Sequence, residues 1–164
     1  MRALVAAAVL LALAGTACGP TVDLTKGLKI TIVDTGWYDA GIVNGQNKLV
    51  PTVSFTLTNV SDQKLVTLQV NALFRRVSEE KEWGSGFVTA AGSGGLAPGA
   101  TTDTLTLRSQ LGYTGSDQSR QEMLQNAHFL DAMIELFAKY RNIQWVRMGR
   151  YPIQRKLITK GSEK

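Results

Sequence analysis

Cysteine and histidine are almost absent from this chain, which has one of each, Cys18 and His128, among its 164 residues. A single cysteine excludes an intramolecular disulfide, so the fold must be held together by its apolar core. A zinc site usually takes several Cys and His ligands, and a lone histidine is more often a surface residue than a base. The sequence therefore predicts no metal site and no cofactor.

Catalytic signatures are also missing. No serine lies in a Gly-x-Ser-x-Gly elbow. The acidic residues Glu79, Glu80 and Glu82 fall in a turn-like context without a partner base, which is typical of a solvated surface. The Gly-rich stretch 92–99 leads into an alternating segment rather than a helix, which favours a turn over a phosphate-binding loop. We predict that the protein is not an enzyme.

Long hydrophobic runs are limited to the N-terminus. Ala3 to Ala14 is an apolar run of 12 residues, which is shorter than the roughly 20 residues that span a bilayer. Preceded by Arg2 and followed by small residues, this run is typical of a signal peptide. Gly15-Thr16-Ala17-Cys18 resembles the lipobox of bacterial lipoproteins, although Gly15 stands where Leu is usual. The resemblance implies cleavage before Cys18 and acylation of its thiol and amine. Ordinary signal-peptidase cleavage after Ala17 is the alternative.

The chain divides into four parts by composition. Residues 1–17 are the predicted signal peptide, 18–27 a tether, 28–158 one domain, and 159–164 a basic tail. Removing 17 of 164 residues leaves 147, the size of one ordinary domain. The 18 Lys and Arg residues exceed the 13 Asp and Glu residues, and loss of Arg2 changes the formal charge from +5 to +4.

Strand patterns dominate the predicted domain. Leu28–Ile32 alternates apolar and polar residues, as do Val53–Thr58 and Val66–Phe74. The polar stretch Asn59–Asp62 between the last two segments indicates a turn, so we predict a β-hairpin there. Phe55 is expected on the buried face of that hairpin.

Further strands are expected at Trp83–Val88, with a bulge or close backbone approach at its glycines, and at Thr101–Leu107. Ser119 and Glu122 form a capping-box pattern that begins a helix. Apolar spacing from Met123 to Phe137 permits that helix to continue to about Tyr140. We favour a short helix followed by a hairpin across Tyr140–Asn142, because a sandwich needs closing strands.

These features resemble Ig-like domains of the FxLyD type, which recur in bacterial envelope lipoproteins. The resemblance is carried by the Val53–Phe74 segment, the Leu96-Ala-Pro98-Gly99 turn and the final strand pair. It implies a mainly β fold: an Ig-like antiparallel β-sandwich of about seven strands, with one short inserted helix near residues 119–129. It also implies an envelope location facing the periplasm or the outside. Gly19, rather than Asp, after Cys18 resembles the pattern of outer-membrane lipoproteins in diderm bacteria.

Positive charge is concentrated at the C-terminal end of the chain. The residues singled out as an anion-binding or partner-binding site are Arg147, Arg150, Arg155 and Lys156. They could contact anionic lipid headgroups or cell-wall polymers; the alternative is that they coat an exposed strand and oppose aggregation. Nucleic acid is excluded as a partner by export. Two functions follow: a membrane-anchored interaction or assembly module that binds an envelope protein, or a binder of anionic lipid or polymer.

Acylation of Cys18 is directly testable. The intact mass of the protein purified from membranes should correspond to residues 18–164 plus the acyl groups. The acyl groups retain the protein in the membrane, because each buried methylene contributes roughly 0.8 kcal/mol. A water-soluble product that begins with an unmodified cysteine would refute lipidation and favour ordinary signal-peptidase cleavage.

Overall fold

The computed structural model of the chain describes residues 21–141 and 144–159, which form a mainly β structure with two short helices. The expected signal peptide, Cys18 and the basic tail from residue 160 onward lie outside these residues. Within the described ranges, no helix has the length and apolar character needed to cross a membrane. The elements in chain order are α1 (Leu24–Gly27), β1 (Leu28–Val43), β2 (Gln46–Asn59), β3 (Leu68–Arg76), β4 (Glu82–Ala91), β5 (Leu105–Arg108), β6 (Tyr113–Gly115), α2 (Arg120–Gln125), β7 (Ala132–Lys139), β8 (Val146–Pro152) and β9 (Leu157–Ile158).

The strands form the two sheets of a β-sandwich. One sheet has the order β5-β2-β1-β9, with β6 also paired to β2, and the other has the order β4-β3-β7-β8. Neighbouring strands are antiparallel except β1 and β9, which run parallel. The expected mainly β antiparallel sandwich is confirmed. Seven strands make up its body, and the short β6 and β9 add three and two residues to one sheet.

The partner of β2 differs from the one expected. The predicted hairpin between Val53–Thr58 and Val66–Phe74 is wrong, because β2 and β3 lie in different sheets. Residues 60–67 cross from one sheet to the other and are held by the paired backbones of Leu65 and Leu96. Alternation of apolar residues reports which face is buried, and it does not report which strand lies alongside.

A tight turn gives β2 its true partner. β1 and β2 pair from Leu28 opposite Asn59 to Val43 opposite Gln46. The two residues between them, Asn44 and Gly45, both have positive φ, 52° and 76°. Positive φ at both central positions of a two-residue loop is the hairpin turn that Asn-Gly favours, because its twist matches that of the strands.

The core lies between the inner faces of β2 and β3. Phe55 and Leu57 from β2 and Leu68 and Val70 from β3 are all 0% exposed and belong to one cluster. The expected burial of Phe55 is therefore confirmed, although Phe55 and the β3 residues belong to the two sheets of the sandwich and not to one hairpin. Each such side chain contributes roughly 1.5–3 kcal/mol by leaving water.

The C-terminal strands follow the expected closure. β7 and β8 pair from Met133 opposite Pro152 to Ala138 opposite Val146, so residues 132–139 form a strand and not a helix. Before them, α2 begins with the expected capping box: the Ser119 side chain accepts from Glu122 N–H, and the Glu122 carboxylate accepts from Ser119 N–H. The short inserted helix near residues 119–129 is thus confirmed.

The segment expected to be a free tether is partly folded. Residues 24–27 form α1, whose N-cap is Asp23, and Leu24 is 2% exposed within the core cluster. The N–H of Val22 donates to the hydroxyl of buried Tyr140. Residues 22–27 of the expected tether, 18–27, therefore belong to the folded domain.

The two ends of the sandwich carry the two ends of the described chain. We call the end formed by α1, Arg141 and the connections 60–67 and 92–100 the proximal end, and the opposite end, with the β1–β2 turn, the distal end. β9 pairs in parallel with β1 at Trp37 and Tyr38. Tyr38 lies ten Cα-to-Cα steps after Leu28, or about 30 Å along the strand. The chain thus leaves β9 away from the proximal end.

Glycines allow the two sheets to approach closely along β4. A Cβ at Gly84 would lie 1.9 Å from Ser109 Oγ, and one at Gly86 would lie 3.1 Å from the Arg108 carbonyl oxygen. Gly84 also adjoins the irregular register between Phe74 and Arg75. The bulge and close approach expected at these glycines are therefore both present, since strand glycines mark such positions.

Gly112 provides a test of this packing. A Cβ at Gly112 would lie 1.9 Å from the Leu49 carbonyl oxygen, and Leu49 is fixed between β1 and β6. Gly112→Ala should lower the free energy of unfolding by at least about 2 kcal/mol, because fixed backbone must move. The control is Gly92→Ala, whose Cβ would meet nothing within 4 Å. Equal urea midpoints for the two variants would contradict the packing.

Candidate functional site

The four basic residues singled out from the sequence lie in two separate places. Arg147 and Arg150 belong to β8 and lie beside Glu135 of β7. Arg155 and Lys156 belong to the turn between β8 and β9 and have different partners. The structure therefore divides the predicted patch into two groups.

Arg155 and Lys156 fasten chain segments together. Arg155 Nε lies 2.5 Å from Asp131 Oδ1, and Arg155 Nη2 donates to the Phe129 carbonyl oxygen at 2.8 Å. Lys156 Nζ lies 2.5 Å from Asp34 Oδ1. These bonds join the turn to the connection before β7 and to β1. Their charges are largely balanced by neighbouring carboxylates, which makes a structural role the better interpretation.

Arg147 and Arg150 belong to a cluster that the sequence did not reveal. Together with Arg75 of β3 they surround one carboxylate, Glu135, whose side chain is 13% exposed. The distances from Glu135 oxygens are 3.3 Å to Arg147, 3.8 Å to Arg150 and 3.9 Å to Arg75. Three guanidinium groups share one carboxylate, so the cluster carries a formal excess of two positive charges.

Two exposed aromatic side chains lie on the same sheet surface. Phe87 of β4 and Trp145 before β8 are 55% and 39% exposed, and their rings meet edge to face with centroids 6.3 Å apart. The Lys139 ammonium lies 4.7 Å from the Trp145 ring centroid, a cation–π contact. Neither aromatic residue belongs to the buried core cluster. Their contact therefore lies on the surface of the sheet and not in the core.

The outer surface of the β4-β3-β7-β8 sheet combines these two features. The register places Phe87 opposite Asn71, Asn71 opposite Phe137 and Phe137 opposite Arg147, so all four side chains share the outer side. We call this surface the aromatic–arginine face; its defining residues are Phe87, Trp145, Phe137, Leu73, Glu135, Arg75, Arg147 and Arg150. Aromatic residues and arginine are the types enriched at protein interfaces.

Other chemically capable residues are engaged in local structure. Ser61 and Ser78 each precede a lysine by three residues, a spacing used by some serine enzymes. The Ser61 hydroxyl donates to Asn59 Oδ1 at 2.7 Å, inside the turn after β2. His128 is exposed, and Glu79 pairs with Arg76 at 2.9 Å. Within residues 21–141 and 144–159, no group of three His, Cys, Asp or Glu side chains could hold a metal ion.

Shifted acidities in the described part of the chain belong to helix caps. Hydrogen bonds from the Thr25 side chain and backbone lower the pKa of Asp23, which caps α1. Hydrogen bonds from the Ser119 backbone and side chain lower the pKa of Glu122 in the capping box of α2. Both shifts follow from donors directed at an exposed carboxylate, so they mark structural caps and not an acid or base for catalysis.

A cavity of about 280 Å³ lies beside α2 and is partly lined by Tyr113, Phe129, Gln118 and Asn126. The Tyr113 hydroxyl accepts from the Leu130 N–H at 3.1 Å. Asn126 Nδ2 donates to Gln118 Oε1 at 3.4 Å. These polar groups bond to one another or to the backbone, and we assign no ligand to the cavity.

Comparisons with known proteins define no family for this chain. No family model matches the sequence, and no curated protein matches it. Among solved structures, the chain is similar to the X-ray structure of the Northeast Structural Genomics Consortium target SoR45. The similarity covers 79% of this chain and 88% of that chain at 10% identity, with a TM-score of 0.44.

Glu135 should hold the arginine cluster in place. Glu135→Gln leaves three guanidinium groups without their carboxylate, and we expect it to lower the free energy of unfolding by about 1–3 kcal/mol. Added salt should recover part of this loss by screening the repulsion. The matched variant, Glu79→Gln, breaks an exposed pair with Arg76 and should lower the free energy by under about 1 kcal/mol. Indistinguishable denaturant midpoints at low salt would contradict the role of Glu135.

Proposed function

We propose that this protein is a bacterial envelope lipoprotein, anchored in the membrane by acyl chains on Cys18, that acts as a non-enzymatic interaction or assembly module. In this proposal its Ig-like sandwich faces the periplasm or the outside, and in a diderm host it lies at the outer membrane. The module binds another envelope protein through the aromatic–arginine face.

One observation carries the binding part of this proposal: the Phe87–Trp145 contact. A monomeric sandwich gains little from holding two large aromatic rings at 55% and 39% exposure on an outer sheet surface. Burying both rings against a partner would remove apolar surface from water. Arg147 and Arg150 lie on the same outer sheet surface and share the carboxylate of Glu135, which they outnumber. A partner with an apolar centre and an acidic rim would complement this surface.

The strand arrangement supports the Ig-like part of the proposal. β1, β2 and β5 share one sheet, while β4, β3, β7 and β8 share the other. Ig sandwiches divide their strands in the same way, with the first, second and fifth strands facing a sheet built around the third, sixth and seventh. In this correspondence β4 is the added edge strand, and α2 lies in the connection before β7.

The alternative function is binding of anionic lipid or cell-wall polymer through Arg147, Arg150, Arg155 and Lys156. The excess positive charge around Glu135 favours it at two of these residues. Against it, Arg155 and Lys156 each lie 2.5 Å from a carboxylate oxygen. A polyanion would have to displace Asp131 and Asp34 to use them, so the protein-binding face is the better-supported function.

Site-specific photo-crosslinking in the native envelope tests the proposed face. A photo-reactive amino acid replaces Phe87 in one variant and Val33 of β1 in another; both natural side chains are 55% exposed, and they lie on different sheets. We expect a discrete protein adduct from position 87 and a much weaker one from position 33. The position 87 adduct should persist at high salt, because an apolar contact is weakly screened.

The outcomes separate the two functions. Equal adducts from both positions, or no protein adduct from either, would contradict binding through the aromatic–arginine face. Salt-sensitive retention on anionic polymer that is lost in Arg147→Glu, without a protein adduct at position 87, would instead support the alternative. Trp145→Ala should weaken the protein adduct without unfolding the domain, since Trp145 lies outside the core cluster.

A further inference from the structure

We propose that the proximal end of the sandwich rests on the headgroups of the membrane that holds the acyl chains of Cys18. Val60 is its apolar contact, and Lys26, Lys64 and Arg141 are its cationic contacts. The occupant of this end is therefore a bilayer containing anionic lipids. The inference rests on the proposed lipidation and adds to it the surface that meets the membrane.

The reach of the chain supports contact. Four Cα-to-Cα steps separate Cys18 from Val22, which span at most about 14 Å. Val22 is already fixed, because its N–H donates to the Tyr140 hydroxyl, and Leu24 is buried just beyond it. An acylated Cys18 therefore holds Val22 within about 14 Å of the headgroups, and the Tyr140 hydroxyl and the start of α1 lie next to Val22.

An exposed apolar residue lies at this end. Val60 is 54% exposed, and its N–H donates to the Gly27 carbonyl oxygen at 3.0 Å. That bond fixes Val60 beside α1, next to the point where the chain leaves for Cys18. At the membrane interface, an exposed apolar side chain gains by leaving water.

The charges of this end suit an anionic surface. Lys26, Lys64 and Arg141 are all exposed, and the Lys26 side chain is 86% exposed. Asp23 and Asp62 are the acidic residues of the same connections, and Asp23 both caps α1 and lies 3.7 Å from the Lys26 ammonium. The three cations therefore exceed the two carboxylates by one formal charge. The neighbouring connection 92–100 contains no charged residue. A Lys or Arg close to an anionic membrane strengthens binding through electrostatic attraction.

Three other exposed apolar residues lie outside the proximal end. Ile42 is 70% exposed in the β1–β2 hairpin at the distal end. Val33 and Phe87 are each 55% exposed on the two sheets. A sandwich standing on its proximal end would contact the bilayer through Val60 alone among these four. A sandwich lying on one sheet would contact it through Val33 or Phe87.

Fluorescence quenching of the full lipoprotein in vesicles distinguishes these orientations. Single cysteines replace Val60, Ile42, Val33 or Phe87 and are labelled with a small fluorophore. The vesicles contain phosphatidylcholine, phosphatidylglycerol and a lipid with a nitroxide on its headgroup. Acylation converts the Cys18 thiol to a thioether, so the introduced cysteine is the one that reacts. We expect quenching at position 60 to exceed that at the other three positions severalfold.

Charge variants test the cationic contacts. Lys64→Glu should reduce quenching at position 60 at low salt, whereas Lys81→Glu, in the exposed turn between β3 and β4, should leave it unchanged. Equal quenching at all four positions, or stronger quenching at position 33, 42 or 87, would overturn the inference while leaving lipidation intact. Labelling of Cys18 itself, seen by intact mass, would show that lipidation has failed.

Discussion

The contact between the inner faces of β2 and β3 is the constraint on which the rest of the sandwich depends. Phe55 and Leu57 meet Leu68 and Val70 in a core with none of the four side chains exposed. β1 and β5 pair with the two edges of β2, and β4 and β7 pair with the two edges of β3, so both sheets are built outward from these two strands. No intramolecular disulfide stabilises the fold alongside this core, since the chain has a single cysteine.

The sequence predicted which face of each strand is buried better than it predicted which strands pair. Alternation in β2 and β3 identified the core residues, because successive side chains of a strand point to opposite faces and one face of these strands is buried. The same alternation cannot tell a hairpin partner from a strand in the facing sheet, and the proposed β2–β3 hairpin failed for that reason. Asn44-Gly45 was the available signal for the true partner, because this dipeptide favours the positive φ values of a two-residue turn.

The aromatic–arginine face could not be assembled from the sequence. Arg147 and Arg150 stood out through the local excess of charge, but Glu135, Arg75 and Phe87 join them only through strand register. Arg75 lies 60 residues before Glu135, and no local pattern links them. Sequence reasoning also grouped Arg155 and Lys156 with the others by proximity along the chain, whereas Asp131 and Asp34 hold both in a different place.

The two proposed surfaces constrain each other. β3 and β7 run between the proximal and distal ends. In a sandwich standing on its proximal end, these strands are therefore upright, and the outer surface of the four-stranded sheet is perpendicular to the membrane plane. Phe87 lies opposite Asn71, three residues from the start of β3, or about 10 Å along the strand. Phe87 would then lie about 10 Å above the proximal start of β3, with Arg75 farther away. A partner that buries the Phe87–Trp145 pair must itself approach the bilayer, which favours a protein anchored in or resting on the same membrane over one diffusing freely.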